Sequence, residues 1–204
     1  MIDLVVLTAD LSMKAALHGI LKRPESLGIR PIRCEILPHP QHDPGCLRDG
    51  ADFLRASHRR ASHALVVFDR DGCGRNQEPR ERLEAEVEGR LEASGWGDQA
   101  RSIVIEPELD AWIWSRSPHV SRALGWESDI GALWDWLAAL GHLQPGALEP
   151  ARPKEAKEAA LREKRKPASS ALFAEIAASL SLKHCTDPAF LKLKGTLAAW
   201  FPRA

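Results

Sequence analysis

The sequence has little sulfur, and its first residues do not show the pattern of a secretory leader. It contains four cysteines and two methionines in 204 residues. The cysteines never show the C-x-x-C spacing of redox or metal sites, and the N-terminus has neither a basic region nor a cleavage site. We therefore predict reduced thiols and a cytoplasmic location.

The chain also lacks a charge imbalance and a long apolar run. Its 28 basic residues are matched by 28 acidic ones, so the formal net charge is zero. This balance argues against a surface that coats nucleic acid or acidic membrane as a whole, although it leaves room for a local patch. No apolar run approaches the roughly 18 to 20 residues of a membrane span, so we expect no membrane partner.

Three common functional motifs are missing. The chain has no Gly-x-x-x-x-Gly-Lys-Ser/Thr loop for nucleoside triphosphates and no Gly-x-Gly-x-x-Gly after its first strand. It also has no Gly-x-Ser-x-Gly nucleophile elbow. The sequence thus carries none of the usual markers of triphosphate hydrolysis, nicotinamide chemistry or serine-esterase chemistry.

The first half of the chain alternates short apolar runs with helical patterns. Strands are predicted at about 4–8, 30–37, 64–69 and 102–106, and the run at 64–68 is the clearest. Because a helical pattern separates successive strands, we predict an α/β fold with a mainly parallel four-stranded sheet and helices on both faces.

The second half shows no strand pattern. Helices are predicted at 130–140, 154–166 and 169–182, and a last one, capped by Asp187, continues to Phe201. We therefore divide the chain into an α/β core, residues 1–117, and a helical C-terminal region, residues 118–204.

Two aspartates end the clearest strand. In an extended chain, residues two apart point to the same side, so Asp69 and Asp71 could bind one divalent cation. Carboxylate oxygens favour Mg²⁺ or Mn²⁺ over zinc. Ligands also gather at the carboxyl ends of parallel strands. The alternative is that these aspartates only end a strand and begin a turn at Gly72.

Acidic residues follow two further strands. Glu106 and Glu108 come after the fourth strand, where adjacent pairing would bring either one near the aspartates. The sequence also predicts a helix from Pro107 through Ile113, and the helix dipole alone favours acids in a first turn. Asp10 follows the first strand as a third acidic candidate, and its alternative role is the N-cap of the next helix.

Three other features each leave more than one interpretation open. The segment 39–46 is rich in proline and carries His39, His42, Asp43 and Cys46, so it could be a zinc site, an active-site rim loop or a solvated connection. The seven tryptophans favour core packing over base stacking. The basic helix at 154–166 could contact phosphates, but interspersed glutamates favour a solvated face.

The order of these elements resembles the Toprim fold of primases, topoisomerases and overcoming-lysogenization-defect nucleases. The motif Val-Phe-Asp-Arg-Asp-Gly at 67–72, followed by Pro-Glu-Leu-Asp-Ala-Trp at 107–112, is similar to motifs of small bacterial Toprim-like proteins. Among these, a component of a methylation-associated anti-phage defence system is similar over the full length, including residues 39–45, 94–98 and 151–156.

The resemblance implies functions for several residues. In Toprim enzymes the Asp-x-Asp holds magnesium, which implies Asp69 and Asp71 as metal ligands, and we add Glu106 as a third. A glutamate after the first strand is the general acid or base there. This sequence has Asp10 near that place, so Asp10 and Glu108, which matches the Pro-Glu motif, are the catalytic candidates.

Three functions are compatible with this pattern. The first is a Mg²⁺-dependent nuclease-type component of a defence system, active alone or only with other subunits, acting on DNA or a nucleotide. The second is a non-catalytic subunit of the same system that docks a partner or senses a nucleotide. The third, a haloacid-dehalogenase-like phosphatase, shares the strand-Asp-x-Asp-Gly motif, but the chain lacks the downstream Asp-Asp pair.

Overall fold

The protein is built on one parallel β-sheet. The structure, a computed structural model, describes residues 1–115, 117–127, 130–182 and 185–203. Its four strands are β1 (Ile2–Thr8), β2 (Cys34–Pro38), β3 (Ala61–Asp69) and β4 (Ala100–Ile105). They pair in the order β2-β1-β3-β4, and every pair is parallel. The α/β class and the parallel four-stranded sheet predicted from the sequence are confirmed.

Nine α-helices are assigned within the described residues. They are α1 (Leu11–Leu21), α2 (Pro24–Leu27), α3 (His42–Leu54), α4 (Arg80–Ala93), α5 (Pro118–Ala123), α6 (Ile130–Ala139), α7 (Pro153–Glu163), α8 (Ser170–Ser179) and α9 (Pro188–Trp200). Short 3₁₀ helices cover Arg55–Arg59, Gly97–Gln99 and Leu109–Ile113. Among the helices of the described residues, none combines the length and the apolar character needed to cross a bilayer.

The strand order determines which face each helix covers. Crossover connections between parallel strands are right-handed. Along the strand order, the connection from β1 to β2 moves in one direction across the sheet, whereas the connections from β2 to β3 and from β3 to β4 move in the other. Helix α1 therefore lies on one face, and α3 and α4 lie on the other. The contacts agree, because α1 packs against α8 whereas α3 packs against α4.

The central strands β1 and β3 form the core of the sheet. Residues 4–7 of β1 and 64–68 of β3 are fully buried, as expected for strands covered on both faces. These near-continuous apolar runs made the two strands easy to predict. Strand β2 is shorter than predicted and begins at Cys34, because residues 30–33 include Pro31, which has no N–H for a ladder, and Arg30 instead donates its N–H to Phe201.

Two local predictions are wrong. Helix α3 already begins at His42, so the second half of the segment 39–46 is helical and not a loop. The buried ring of His39 packs against Gly45, where a Cβ atom would clash with it, and its Nδ1 accepts from the N–H of Gln41. After Pro107, the chain forms only the 3₁₀ helix Leu109–Ile113 and then α5, which was not predicted.

The C-terminal helices contact the core directly. Helix α8 packs on α1, α9 runs beside β4, and α7 contacts the segment Leu109–Ile113. Tryptophan side chains bridge the two halves: Trp112 donates to Asp187, and Trp114 donates to the carbonyl of Pro153. The predicted packing function of these tryptophans is confirmed, whereas the division at residue 117 stays a prediction.

Side chains of α4 cover the outer edge of β4, one of the two edge strands of the sheet. Ser102 and Val104 of β4 direct their N–H groups away from β3 and donate to Glu88 and Glu84, each at 3.0 Å. Lys192 of α9 lies 2.8 Å from Glu88 and 3.1 Å from Glu84. These carboxylates satisfy backbone donors that an edge strand would otherwise leave free for a foreign strand.

We predict that Glu84→Ala lowers the free energy of unfolding by about 2–4 kcal/mol, because it leaves a buried N–H without an acceptor and removes a partner of Lys192. Urea denaturation of both proteins measures the change. Glu92→Ala, an exposed position of the same helix, is the control and should change stability by less than about 0.5 kcal/mol. Equal effects of the two substitutions would contradict the proposed edge closure.

Candidate functional site

All four strands deliver acidic residues to the same edge of the sheet. Asp10 follows β1, Asp43 follows β2, Asp69 ends β3 and Glu108 follows β4. The carboxyl ends of parallel strands share one edge, so these side chains converge there. They border a cavity of about 390 Å³, whose lining residues are Asp10, Ser12, Asp43, Asp69, Asp71, Gly72, Glu108, Leu109, Asp110, Lys154, Lys157 and Phe173.

Asp69 is the central residue of this cavity. Its Oδ1 accepts from the N–H of Leu109 at 2.9 Å, and its own N–H donates to Oδ1 of Asp43 at 2.7 Å. Burial, followed by the nearby Asp43 carboxylate, raises the pKa of Asp69 well above its ordinary value, and Glu108 and Asp10 act in the same direction. The hydrogen bond from Leu109 opposes this change without cancelling it.

Asp43 belongs to the first turn of α3 and was missed as a member of this cluster. Burial raises its pKa, and the charge of Asp10 adds to the effect. The Asp43 carboxylate lies against Gly72, where a Cβ atom would overlap its oxygens. Gly72 thus lets the turn after β3 approach Asp43 closely.

Asp10 and Asp71 lie on the rim of the cavity. Asp10 caps α1 by accepting from the N–H of Met13 at 2.8 Å, so the capping function is confirmed and coexists with a position in the cavity. Strand β3 ends at Asp69, so Asp71 lies in a turn and not in the extended geometry expected from the sequence. The turn is fixed by the N–H of Asp71, which donates to the carbonyl of Pro107.

The two glutamates after β4 have different environments. Glu106 forms an ion pair with Arg70, which also contacts Asp71, but Glu106 itself does not line the cavity. Glu108 does line it, and burial, then the charge of Asp110, raises the pKa of Glu108.

Helix α7 adds basic side chains that were not predicted as site residues. Lys157 is buried, forms an ion pair with Asp110 and places its Nζ 4.9 Å from the ring centre of Phe173. The Nζ of Lys154 lies 3.9 Å from Oε2 of Glu108. One sequence pattern could have identified Lys157, because it occupies the i+4 position of the buried stripe Pro153, Ala156, Lys157, Ala160, Leu161.

The carboxylate oxygens of the cavity suit a hard divalent cation, but the carboxylates are not arranged closely enough to coordinate one without moving. Six carboxyl groups line the cavity, and oxygen ligands favour Mg²⁺ or Mn²⁺. Among the residues that the structure describes, no three His, Cys, Asp or Glu side chains are grouped closely enough to hold a metal ion. That finding applies equally to the zinc interpretation of His39, His42, Asp43 and Cys46. A cation at Asp69 would have to draw the neighbouring carboxylates together.

Comparisons with protein-family models, with curated proteins and with solved structures find no match to this chain.

The raised pKa of Asp69 predicts how stability depends on pH. A carboxyl whose pKa is higher in the folded than in the unfolded protein binds its proton more tightly when folded. Its contribution to the free energy of unfolding therefore falls as the pH rises from its ordinary pKa of 3.8 through the raised value. Asp69→Asn should remove this loss and stabilise the protein at neutral pH by on the order of 1 kcal/mol.

Chemical denaturation between about pH 4 and pH 8 tests this expectation, since the advantage of Asp69→Asn should shrink toward the acidic end. Asp98→Asn, which alters a fully exposed carboxyl outside the cavity, is the control. A variant that is less stable than the wild type throughout this range would show that the Asp69 charge is not a destabilising one.

Gly72→Ala tests the contact between the turn and Asp43. Gly72 does not adopt a positive φ, so alanine fits the backbone and the effect comes from the displaced carboxylate. We expect a loss of about 1–2 kcal/mol as the hydrogen bond from Asp69 to Asp43 breaks. In a double-mutant cycle, the same substitution should cost much less in an Asp43→Ala background, and strict additivity would contradict the contact.

Proposed function

We propose that this protein is a Toprim-like, Mg²⁺-dependent, nuclease-type component of a bacterial anti-phage defence system. The observation that supports it best is the partly buried carboxyl of Asp69, which lies among other acidic residues at the carboxyl edge of a parallel sheet. Carboxyl groups kept at such a place against their mutual repulsion are typical of functional sites. The proposal places the protein in the cytoplasm, in agreement with four free cysteines.

Five acidic residues of the cavity have an assigned function in this proposal. Asp69 and Asp71 would hold the cation, and Asp43 is better placed than Glu106 to be a third ligand, because Asp43 lines the cavity and Glu106 does not. A bound Mg²⁺ would offset the carboxylate charge and polarise a phosphate ester. Glu108 and Asp10 are the groups that could hold or accept a proton beside it.

One observation favours a second candidate, a non-catalytic subunit that docks a partner or senses a nucleotide. The Asp10 carboxylate already accepts from the N–H of Met13 as an N-cap, and aspartate is one methylene shorter than the glutamate that the Toprim pattern has after its first strand. A misplaced general base typically lowers the rate by ~10²- to 10⁴-fold. We therefore favour a subunit that acts within a complex of other defence components, with DNA or a nucleotide as ligand.

Thermal denaturation with and without Mg²⁺ tests the metal site. At a hundredfold excess over its Kd, a cation that binds only the folded protein adds about 2.7 kcal/mol, or roughly 5–10 °C in Tm for a chain of this size. The wild type should show this rise, and Asp69→Ala/Asp71→Ala should not. Asp49→Ala/Asp52→Ala, which removes two exposed aspartates of α3, should respond like the wild type. Equal rises in all three proteins would reject the site.

A nuclease assay separates the enzyme from the docking subunit. We expect the isolated chain to cleave DNA weakly or not at all, and Asp10→Glu to increase any cleavage by restoring the reach of the carboxylate. Strong Mg²⁺-dependent cleavage by the wild type that is lost in Asp69→Ala would instead establish the enzyme. Cleavage that is unchanged in Asp69→Ala would exclude this cavity from the reaction.

A further inference from the structure

The candidate cavity has two walls of opposite charge. The carboxyl ends of the four strands and the segments that follow them supply Asp10, Asp43, Asp69, Asp71 and Glu108. The facing wall comes from helix α7 of the C-terminal region, which supplies Lys154 and Lys157. Residues three apart on a helix share a face, so both ammonium groups point toward the carboxylates. A cavity built only to hold a cation does not need this second wall.

Lys157 is unusual because its charged side chain is buried. Its side chain and that of Asp110 are each only 9% exposed. Removing such a pair from water costs free energy that the ion pair repays only in part, and an apolar pair of the same volume is often as stable or more stable. Packing alone therefore does not explain a lysine at this place in the apolar stripe of α7. Its ammonium has three donors, and one carboxylate does not use all of them.

Lys154 lies at the mouth of the same cavity. Its side chain is half exposed, and its Nζ is 3.9 Å from Oε2 of Glu108, which is longer than a hydrogen bond. The ammonium is therefore not held by a hydrogen bond to Glu108 and can bind an incoming anion. Together, the two lysines place positive charge at the mouth and at the inner wall of a cavity that is otherwise acidic.

We propose that Lys154 and Lys157 bind a phosphoryl group of the ligand, so that the C-terminal region completes the site that the sheet begins. This inference rests on the proposed function, because the phosphate would face the carboxylates across a bound Mg²⁺. The volume of about 390 Å³ lies at the lower end of the range for ligand sites and admits part of a nucleotide. Non-bridging phosphate oxygens are the shared chemistry of two sources, a single strand of DNA and a free nucleotide.

The charge arrangement makes binding of phosphate and of Mg²⁺ interdependent. Without the cation, the carboxylates repel a phosphate that the lysines attract. With the cation bound, both walls attract it. The phosphate ligand should therefore bind more tightly with Mg²⁺ than without, and by linkage Mg²⁺ should bind more tightly in the presence of that ligand.

Two probes and four proteins test the inference. A fluorescein-labelled single-stranded DNA oligonucleotide and ADP are titrated with Mg²⁺ at constant ionic strength, the first by anisotropy and the second by calorimetry. The proteins are the wild type, Lys154→Gln, Lys157→Met/Asp110→Asn and Arg162→Gln. The double variant removes the buried pair as a unit, so that no charge is left unpaired. Arg162→Gln removes one exposed positive charge of α7 outside the cavity and is the matched control.

We expect each lysine variant to bind at least one probe about tenfold more weakly, and the control to bind as the wild type does. If the lysine variants bind only the oligonucleotide more weakly, the phosphate belongs to a DNA strand, and if they bind only ADP more weakly, it belongs to a nucleotide. If they bind both probes more weakly, the lysines recognise the phosphate group whatever its source. The rise in Tm with Mg²⁺ should persist in both lysine variants, so that failure of the metal site is recognised separately. If the wild type binds neither probe, or if the control loses as much as the lysine variants, the inference is overturned.

Discussion

The hydrogen bonds of one residue, Asp69 at the end of β3, connect most parts of this structure. Its side chain accepts from Leu109 in the segment after β4, and its backbone N–H donates to Asp43 at the start of α3. The 3₁₀ helix that begins at Leu109 then contacts α7 and α8. The end of the central strand β3 thus positions the loop after β4, the first turn of α3 and, through them, the C-terminal helices.

The apolar strands stabilise the fold, whereas the acidic residues at their carboxyl edge are electrostatically unfavourable. The apolar runs of β1 and β3 are fully buried and satisfied by backbone pairing on both sides. At the carboxyl edge of the sheet, burial and the charges of neighbouring carboxylates raise the pKa of Asp69, Asp43 and Glu108. A fold tolerates such a cluster where the rest of the core supplies the stability, and clusters of this kind are usually maintained for binding or chemistry.

The sheet could be predicted because its signal is local. Buried parallel strands are continuous apolar runs, and the residues that follow them must meet at one edge, so Asp10, Asp69, Asp71 and Glu108 could be placed together from the sequence. The position of Glu106 outside the cavity could not be predicted in this way, because its partner Arg70 lies in the turn after β3. Whether an acidic side chain faces the cavity or pairs with a neighbouring arginine depends on contacts between loops. The periodicity of a strand carries no information about such contacts.

Residues contributed by distant helices were harder to predict. Asp43 lies in a proline-rich segment whose pattern favours a loop, yet the contact between His39 and Gly45 allows α3 to begin there. Lys157 belongs to a helix with mixed charges, for which a solvated face is the simplest interpretation. Its burial follows from α7 packing against the segment Leu109–Ile113, a contact between residues far apart in the sequence.

The glutamates that bind the outer edge of β4 also limit how this protein can assemble. Because Glu84 and Glu88 already occupy the backbone donors of Ser102 and Val104, and α9 lies beside them, no strand of another subunit can extend the sheet there unless α4 and α9 move apart. A continuous intermolecular sheet through β4 is thereby excluded for the folded protein. Any partner that binds on this side must recognise the outer surfaces of helices, where side-chain shape and charge, and not backbone pairing, determine specificity.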